Sequence, residues 1–227
     1  MGSLGLTILE EEELDIDKVY RRRFGDQLTF RDAMWRILCR EYFQQFIPSN
    51  SRVLDIAAGY CEFINNIRAE RKIALEINPD AIKRADKNVE VILSSSDDLS
   101  MLGNGSIDRI FASNFFEHIH KEQMVRTLQE SRRVLSAGGQ ILILQPNIRY
   151  VYKDYWMFFD HINPVDDRAL CEILEVVGFS IKLDIPRFLP FTTESRVPKS
   201  LGLLRLYLKI PILWKFFGGQ AFVVAEK

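Results

Sequence analysis

Three sets of residues in this chain are of types that can do chemistry at useful spacings. The first is Asp55-Ile56-Ala57-Ala58-Gly59-Tyr60-Cys61, an acid followed by small residues. A small-residue turn lets a ligand approach the backbone, and the free amides of a following helix start can meet an anionic group. The second set is acidic: Glu76, 21 positions after Asp55, and the pair Asp97-Asp98. A carboxylate at a strand end can accept hydrogen bonds from both hydroxyls of a ribose, which suits a nucleoside cofactor. The third set is Asn114-Phe115-Phe116-Glu117-His118, with Asp160-His161 further along. A neutral imidazole can take the proton from an attacking hydroxyl, and an adjacent carboxylate can orient or retune it. His118 is the first candidate base, His161 the second, and Glu117 the partner of His118. The plain alternatives are a strand-to-helix turn, solvated or capping acids, and structural histidines.

The elements that must position these residues alternate regularly. Val53, Leu54 and Ile56 form an apolar run of the kind that fills a central parallel strand, and Phe63, Ile64 and Ile67 continue as a helix. Lys72 to Ile77 reads as a second strand, Asp80 to Asn88 as a helix after Pro79, and Val89 to Leu93 as a third strand. After the turn at Gly103-Asn104-Gly105, Ile107 to Ser113 reads as the fourth strand and Glu122 to Leu135 as a helix stopped by Gly138-Gly139. Gln140 to Leu144 is the fifth strand, Asp166 to Val177 a helix, Gly178 to Ile185 the sixth strand and Gly219 to Ala225 the seventh. An amphipathic helix over Phe30 to Phe46 precedes them all. This alternation predicts an α/β fold with a doubly wound sheet, and such sheets bind ligands outside the carboxyl ends of their strands. Each of the three sets falls at such an end.

Asp55 followed by Ala57-x-Gly59-x-Cys61 resembles motif I of the class I S-adenosylmethionine-dependent methyltransferases, with the first and third glycines replaced. Arg133-Val134-Leu135-Ser136-Ala137-Gly138-Gly139 matches that family's Arg-Val-Leu-x-x-Gly-Gly segment residue by residue. The resemblance implies a seven-stranded Rossmann-like sheet with a reversed C-terminal hairpin and S-adenosylmethionine as cofactor. By the same resemblance, Asp55, Ala57, Gly59, Glu76, Asp97, Asp98 and Asn114 contact the cofactor, with Asp97 preferred over Asp98 for the adenine amino group. Asn114 to His118 resembles the segment that lies beneath the sulfonium and faces the acceptor. It lacks both prolines of the Asn-Pro-Pro-Tyr type associated with amide or base nitrogens. The expected organisation is one methyltransferase domain over 1–227: an N-terminal helical cap (1–50), a cofactor-binding core (51–146) and an acceptor-side region with the hairpin and an apolar insert (147–227).

Gln145-Pro146-Asn147 is followed by Arg149, Tyr150, Tyr152, Tyr155, Trp156, Phe158 and Phe159. Aromatic platforms with interspersed polar groups suit a sugar ring, and they suit a packed lid equally. The pattern is similar to small methyltransferases of polysaccharide and glycolipid assembly, which makes a sugar hydroxyl the expected acceptor. A small-molecule metabolite is the rival acceptor. A non-catalytic partner subunit is a reading from a different class, motivated by Ala57 and Cys61, and an NAD enzyme is disfavoured by the glycine spacing.

The 30 Lys and Arg nearly cancel the 31 Asp and Glu, so no global field favours nucleic acid. The three cysteines lack a Cys-x-x-Cys pair, which argues for reduced thiols, a cytoplasmic setting and no metal site. Cys61 opens a helix, where its thiol is either activated or a small packing group, and packing is the reading taken. No signal peptide is expected, and the acidic run Glu10 to Glu13 is assigned no function. Leu201 to Phe217 is strongly apolar, with Arg205, Lys209, Lys215 and a central Pro211. That excludes a spanning helix and leaves two settings: packing on the domain or a second subunit as a homodimer, or a peripheral membrane contact at the inner face that covers a lipid-linked acceptor.

Overall fold

The computed structural model describes residues 28–191 and 200–227. The acidic run Glu10 to Glu13 and the arginines Arg21 to Arg23 lie outside the described residues.

Seven strands form one sheet in the order β3-β2-β1-β4-β5-β7-β6. They are β1 (Arg52–Ile56), β2 (Arg71–Glu76), β3 (Val89–Leu93), β4 (Ile107–Ser113), β5 (Leu135–Pro146), β6 (Ser180–Ile185) and β7 (Gln220–Glu226). The first five run parallel, and β7 inserts antiparallel between β5 and β6. This is the doubly wound α/β sheet with a reversed hairpin that the sequence predicts. Both faces are covered, so β1 and β4 need no polar alternation. One core layer joins Trp35, Phe43, Phe63, Phe111, Phe188 and Phe222, and the opposite one joins Leu54, Ile73, Leu128, Leu135 and Leu170. Phe63 stacks on Phe111 at 3.7 Å between ring centres, and Trp35 stands edge-on to both. The helix that follows the loop is thereby fixed to β4 from above.

The helices are α1 (Leu28–Glu41), α2 (Glu62–Asn66), α3 (Lys121–Val134), α4 (Ile148–Val151), α5 (Asp167–Val177), α6 (Leu201–Lys209) and α7 (Pro211–Phe217). Asp166 caps α5 by accepting from Ala169 N at 2.9 Å, and Gly178 ends it at φ 100°. Left-handed backbone there lets Phe179 N reach Leu174 O, the usual glycine stop.

Two expectations change. The helix predicted over Asp80 to Asn88 is a single 3-10 turn, Ala81–Arg84. Asn65 on α2 draws the chain out of helix, because its amide donates to Arg84 O and its carbonyl oxygen accepts from Asp86 N. The fifth strand begins at Leu135 rather than Gln140. Leu135 pairs with Ile107, and a register shift absorbs Ser136 to Gly139 before Gln140 pairs with Arg109.

Candidate active site

The carboxyl ends of β1 and β4 leave the sheet side by side, since Ile56 pairs with Ala112. The β1 loop alternates through left-handed backbone at Ala57 (φ 53°), Gly59 (φ 52°) and Cys61 (φ 61°). The two replaced glycines therefore stand where a side chain costs about 1–2 kcal/mol each. Their smallness does not spare them positive φ. Hydrogen bonds hold the strained path: Ala58 N donates to Leu75 O, Cys61 N to Ala58 O, and Gly59 N to Glu76 Oε2 at 2.9 Å. Cys61 is fully buried, and burial pushes its thiol up to about 12, so it is a packing group and no thiolate.

Glu76 is 5% exposed, and its other oxygen accepts from Ile77 N and Asn78 N. The carboxylate at the end of β2 thus braces the loop. Asp55 lies beneath the same loop at 3% exposure, and its Oδ2 has no hydrogen-bond partner among the described residues. Burial, and then the Glu76 carboxylate, hold its carboxyl well above the usual range.

Beyond β3, Asp97 accepts from Ser95 Oγ at 2.5 Å and from Arg126 Nε of α3 at 2.9 Å. The Ser95 hydroxyl and Arg126 hold its carboxyl below the usual range. Arg126 was invisible in sequence, because no spacing links 97 to 126. Asp98 accepts from Ser100 N at 3.2 Å in the loop after β3. Asn114 takes the left-handed conformation (φ 49°) where β4 ends, and its exposed amide donates to Ser113 Oγ at 3.0 Å.

The next residues bring the proposed catalytic groups together across 42 positions. His118 Nδ1 lies 3.1 Å from Asp160 O and 3.3 Å from Asp160 Oδ2, and His118 Nε2 lies 3.8 Å from Glu117 Oε1. The rings of His118 and His161 are 4.9 Å apart. Glu117 is 2% exposed and His161 6%. The two segments are laced by backbone: Glu117 O accepts from Ile162 N and Asn163 N. Asn163 Nδ2 donates to Phe116 O, and Tyr155 Oη to Asn163 O at 2.6 Å. Sequence reading missed Asn163, which gives no signal beyond its proximity to His161.

The polar and aromatic stretch after β5 divides in two. Asn147 is buried and donates to Asp167 Oδ1 and Pro186 O, and Arg149 Nη1 donates to both oxygens of Asp167. Tyr155 is buried as well. These three are framework residues. Tyr152, Trp156 and Phe159 are exposed, Phe159 at 86%.

Residues 54–143 match the methyltransferase domain family. The segment from β1 to β5 is thus similar to the methyltransferase domain family. An S-adenosylmethionine-dependent methyltransferase from Archaeoglobus fulgidus shares the fold at TM-score 0.67 and 23% identity, over 90% of this chain and 99% of that one. A chain from the Haloferax volcanii complex of the Trm112 methyltransferase activator with a candidate methyltransferase is similar at TM-score 0.66 and 15% identity, covering 92% and 96%. A Thermotoga maritima methyltransferase with a possible histamine N-methyltransferase role is similar at TM-score 0.66 and 17% identity, covering 92% and 98%. No curated protein sequence gives a significant match.

The residues at this edge of the sheet offer acceptors that suit the cofactor of the similar methyltransferases. S-adenosylmethionine carries hydroxyl and amino donors and a positive sulfonium. The buried, unsatisfied Asp55 oxygen lies by a left-handed loop, with the Glu76 carboxylate at the end of the neighbouring strand β2 and Asp97 in the turn after β3.

Proposed function

We propose that this methyltransferase places a methyl group on an acceptor oxygen, a sugar hydroxyl of a glycan or glycolipid. The observation that carries this reading is the convergence of Glu117, His118 and His161 at the end of β4, next to the strand that leads into the β1 loop. When bound, the cofactor supplies an already activated methyl group on its sulfonium. The protein's task is then alignment and removal of one proton.

In this reading Glu76 accepts from the ribose, Asp97 and Asp98 serve the adenine end, and Ala57, Gly59 and Asn114 shape the backbone around the methionine part. Asp55 accepts a donor through its unpartnered oxygen. His118 is the first base: Asp160 engages Nδ1, which leaves Nε2 to take the proton. His161 is the second, and Glu117 orients His118. Exposed Tyr152, Trp156 and Phe159 supply flat apolar surfaces for a sugar ring.

A lipid-linked acceptor is favoured by the opposite faces of α6 and α7. Leu204, Tyr207 and Trp214 pack on the core, while Leu203, Leu206, Ile212, Phe216 and Phe217 stay exposed. The span 201–217 carries Arg205, Lys209 and Lys215 and no acid. Arg40, Arg205 and Lys209 also rim one depression, although Arg205 pairs with Glu41. An apolar, cationic face of this kind suits an anionic membrane surface. No helix among the described residues is long and apolar enough to cross a membrane.

A second reading draws on left-handed Ala57 and Cys61 and on the Haloferax neighbour, which comes from a complex with an activator. Here the chain binds cofactor poorly alone and needs a partner protein. Labelled-methyl transfer to a panel of sugars and lipid-linked sugars tests the first reading. We expect labelled product with a sugar hydroxyl, falling by about 100-fold or more in His118→Ala. Undiminished turnover in both His118→Ala and His161→Ala would remove these residues as bases.

A further inference from the structure

We propose that Glu117, His118 and His161 form a binding site for a divalent transition-metal ion of the zinc or cobalt kind. One carboxylate oxygen of Glu117 and one ring nitrogen of each histidine lie within 4.8 Å of one another. A tetrahedral ion holding such ligands at about 2.1 Å needs them about 3.4 Å apart. Closure therefore asks for approaches of up to about 1.4 Å shared among three side chains. His118 Nε2 and Glu117 Oε1, at 3.8 Å, are already near that spacing.

The surroundings are those of a ligand set. His118 Nδ1 is bonded to Asp160, so Nε2 is the nitrogen that faces Glu117. A hydrogen bond from the far nitrogen to a carbonyl or carboxylate is what orients a metal-bound imidazole and raises its basicity. Rings of Tyr155 and Phe158 lie 4.8 and 5.1 Å from that of His161 and limit its rotation. The bonds from Ile162 and Asn163 join the segment around 117 to the segment around 161, and Tyr155 Oη holds Asn163 in place, so the ligands are assembled before an ion arrives. Glu117 is deeply buried, and a cation between it and two neutral imidazoles offsets the cost of an ionised carboxylate in apolar surroundings. Three protein ligands, His118 the most open of them, leave the fourth position of a tetrahedral ion vacant. Nitrogen and oxygen ligands with an open position are the pattern of catalytic rather than closed structural sites.

The inference deepens the proposed function and rests on its reading of this cluster as the place where the acceptor loses its proton. In the metal-free protein His118 Nε2 takes that proton. In the loaded protein Glu117, His118 and His161 would hold the ion, which would supply Lewis-acid activation of the acceptor hydroxyl, with the released proton passing to water.

Metal binding is measured without methyl donor or acceptor. Chelator-treated protein is titrated with Co2+, read by its visible absorption, and with Zn2+ by calorimetry. We expect one ion per chain, bound at about micromolar Kd or tighter. His118→Gln and Asp160→Asn, each checked by circular dichroism, weaken it by about tenfold or more. Absence of Co2+ absorption in the wild type overturns the proposal whatever the variants do, and so does full affinity in both folded variants. Methyl transfer that continues in wild-type protein that binds no ion would remove the metal and leave the methyltransferase reading in place.

Discussion

At the scale of the residue, Ala57 is a methyl group in left-handed backbone. Ala57→Gly removes strain of about 1–2 kcal/mol and returns about 0.5–1 kcal/mol of chain entropy to the unfolded state. We predict a net gain of about 0.5–1 kcal/mol in urea unfolding, and a loss of similar or larger size for Ala57→Val. Asp55 and Asp108 predict opposite pH behaviour. Asp108 accepts from Arg52 N, Nε and Nη2 and from Ser136 Oγ, and the Arg52 guanidinium first of all holds its carboxyl far below the usual range. Its stabilisation is present above the unfolded carboxylate pKa of about 4 and disappears as pH falls through the lower folded value. Asp108→Asn therefore costs about 2 kcal/mol at neutral pH and flattens the acid limb of the stability profile. Asp55, raised by burial, does the reverse: the folded state resists its ionisation, so stability declines as pH rises above about 4. Asp55→Asn should be more stable than wild type at pH 8 relative to pH 5 in urea titrations, and weaker in cofactor binding. The acids Asp55, Glu76 and Asp97 were legible in sequence as strand-end or post-strand carboxylates. The positive φ at Ala57 and Cys61 was not, because backbone conformation is set by where β1 must deliver the chain to α2.

At the scale of the element, the strands were readable because both faces of the sheet are buried, which turns β1, β2 and β4 into short apolar runs. The missing helix after Pro79 was not readable: Asn65, some twenty residues away, captures Arg84 and Asp86. Long-range hydrogen bonds of this kind leave no local pattern. The same applies to Asp97 with Arg126, and to His118 with Asp160, whose pairing depends on how the segment after β5 returns to the end of β4. The junction from α7 to β7 makes a sharp prediction. A Cβ on Gly218 would lie 2.6 Å from Arg187 C and Trp214 O, and one on Gly219 would lie 2.6 Å from Val151 Cγ1. Gly218→Ala should destabilise by about 2–3 kcal/mol, read as a lower midpoint in thermal or urea unfolding. Its contacts are backbone atoms, so little can yield. On α6 and α7, Leu206→Ser with Phe216→Ser should reduce co-sedimentation with anionic vesicles while leaving thermal stability unchanged, since both side chains are exposed.

At the scale of the whole molecule, the carboxyl ends of β1 to β4 form one side of the sheet, and all the residues singled out for chemistry gather along it. The sheet order puts β1 and β4 side by side near its centre, and in the proposed reading a nucleoside lies over β2 and β3 while the acceptor meets β4 and β5. The central claim is that this edge binds S-adenosylmethionine through Glu76 and the β1 loop. Calorimetric titration with S-adenosylmethionine and S-adenosylhomocysteine, with NAD as control, tests it most directly. The account predicts Kd values of about micromolar for both, no heat with NAD, and a loss of about tenfold or more in Glu76→Gln. Binding of NAD more tightly than S-adenosylmethionine, or no binding of either sulfur compound, would contradict it.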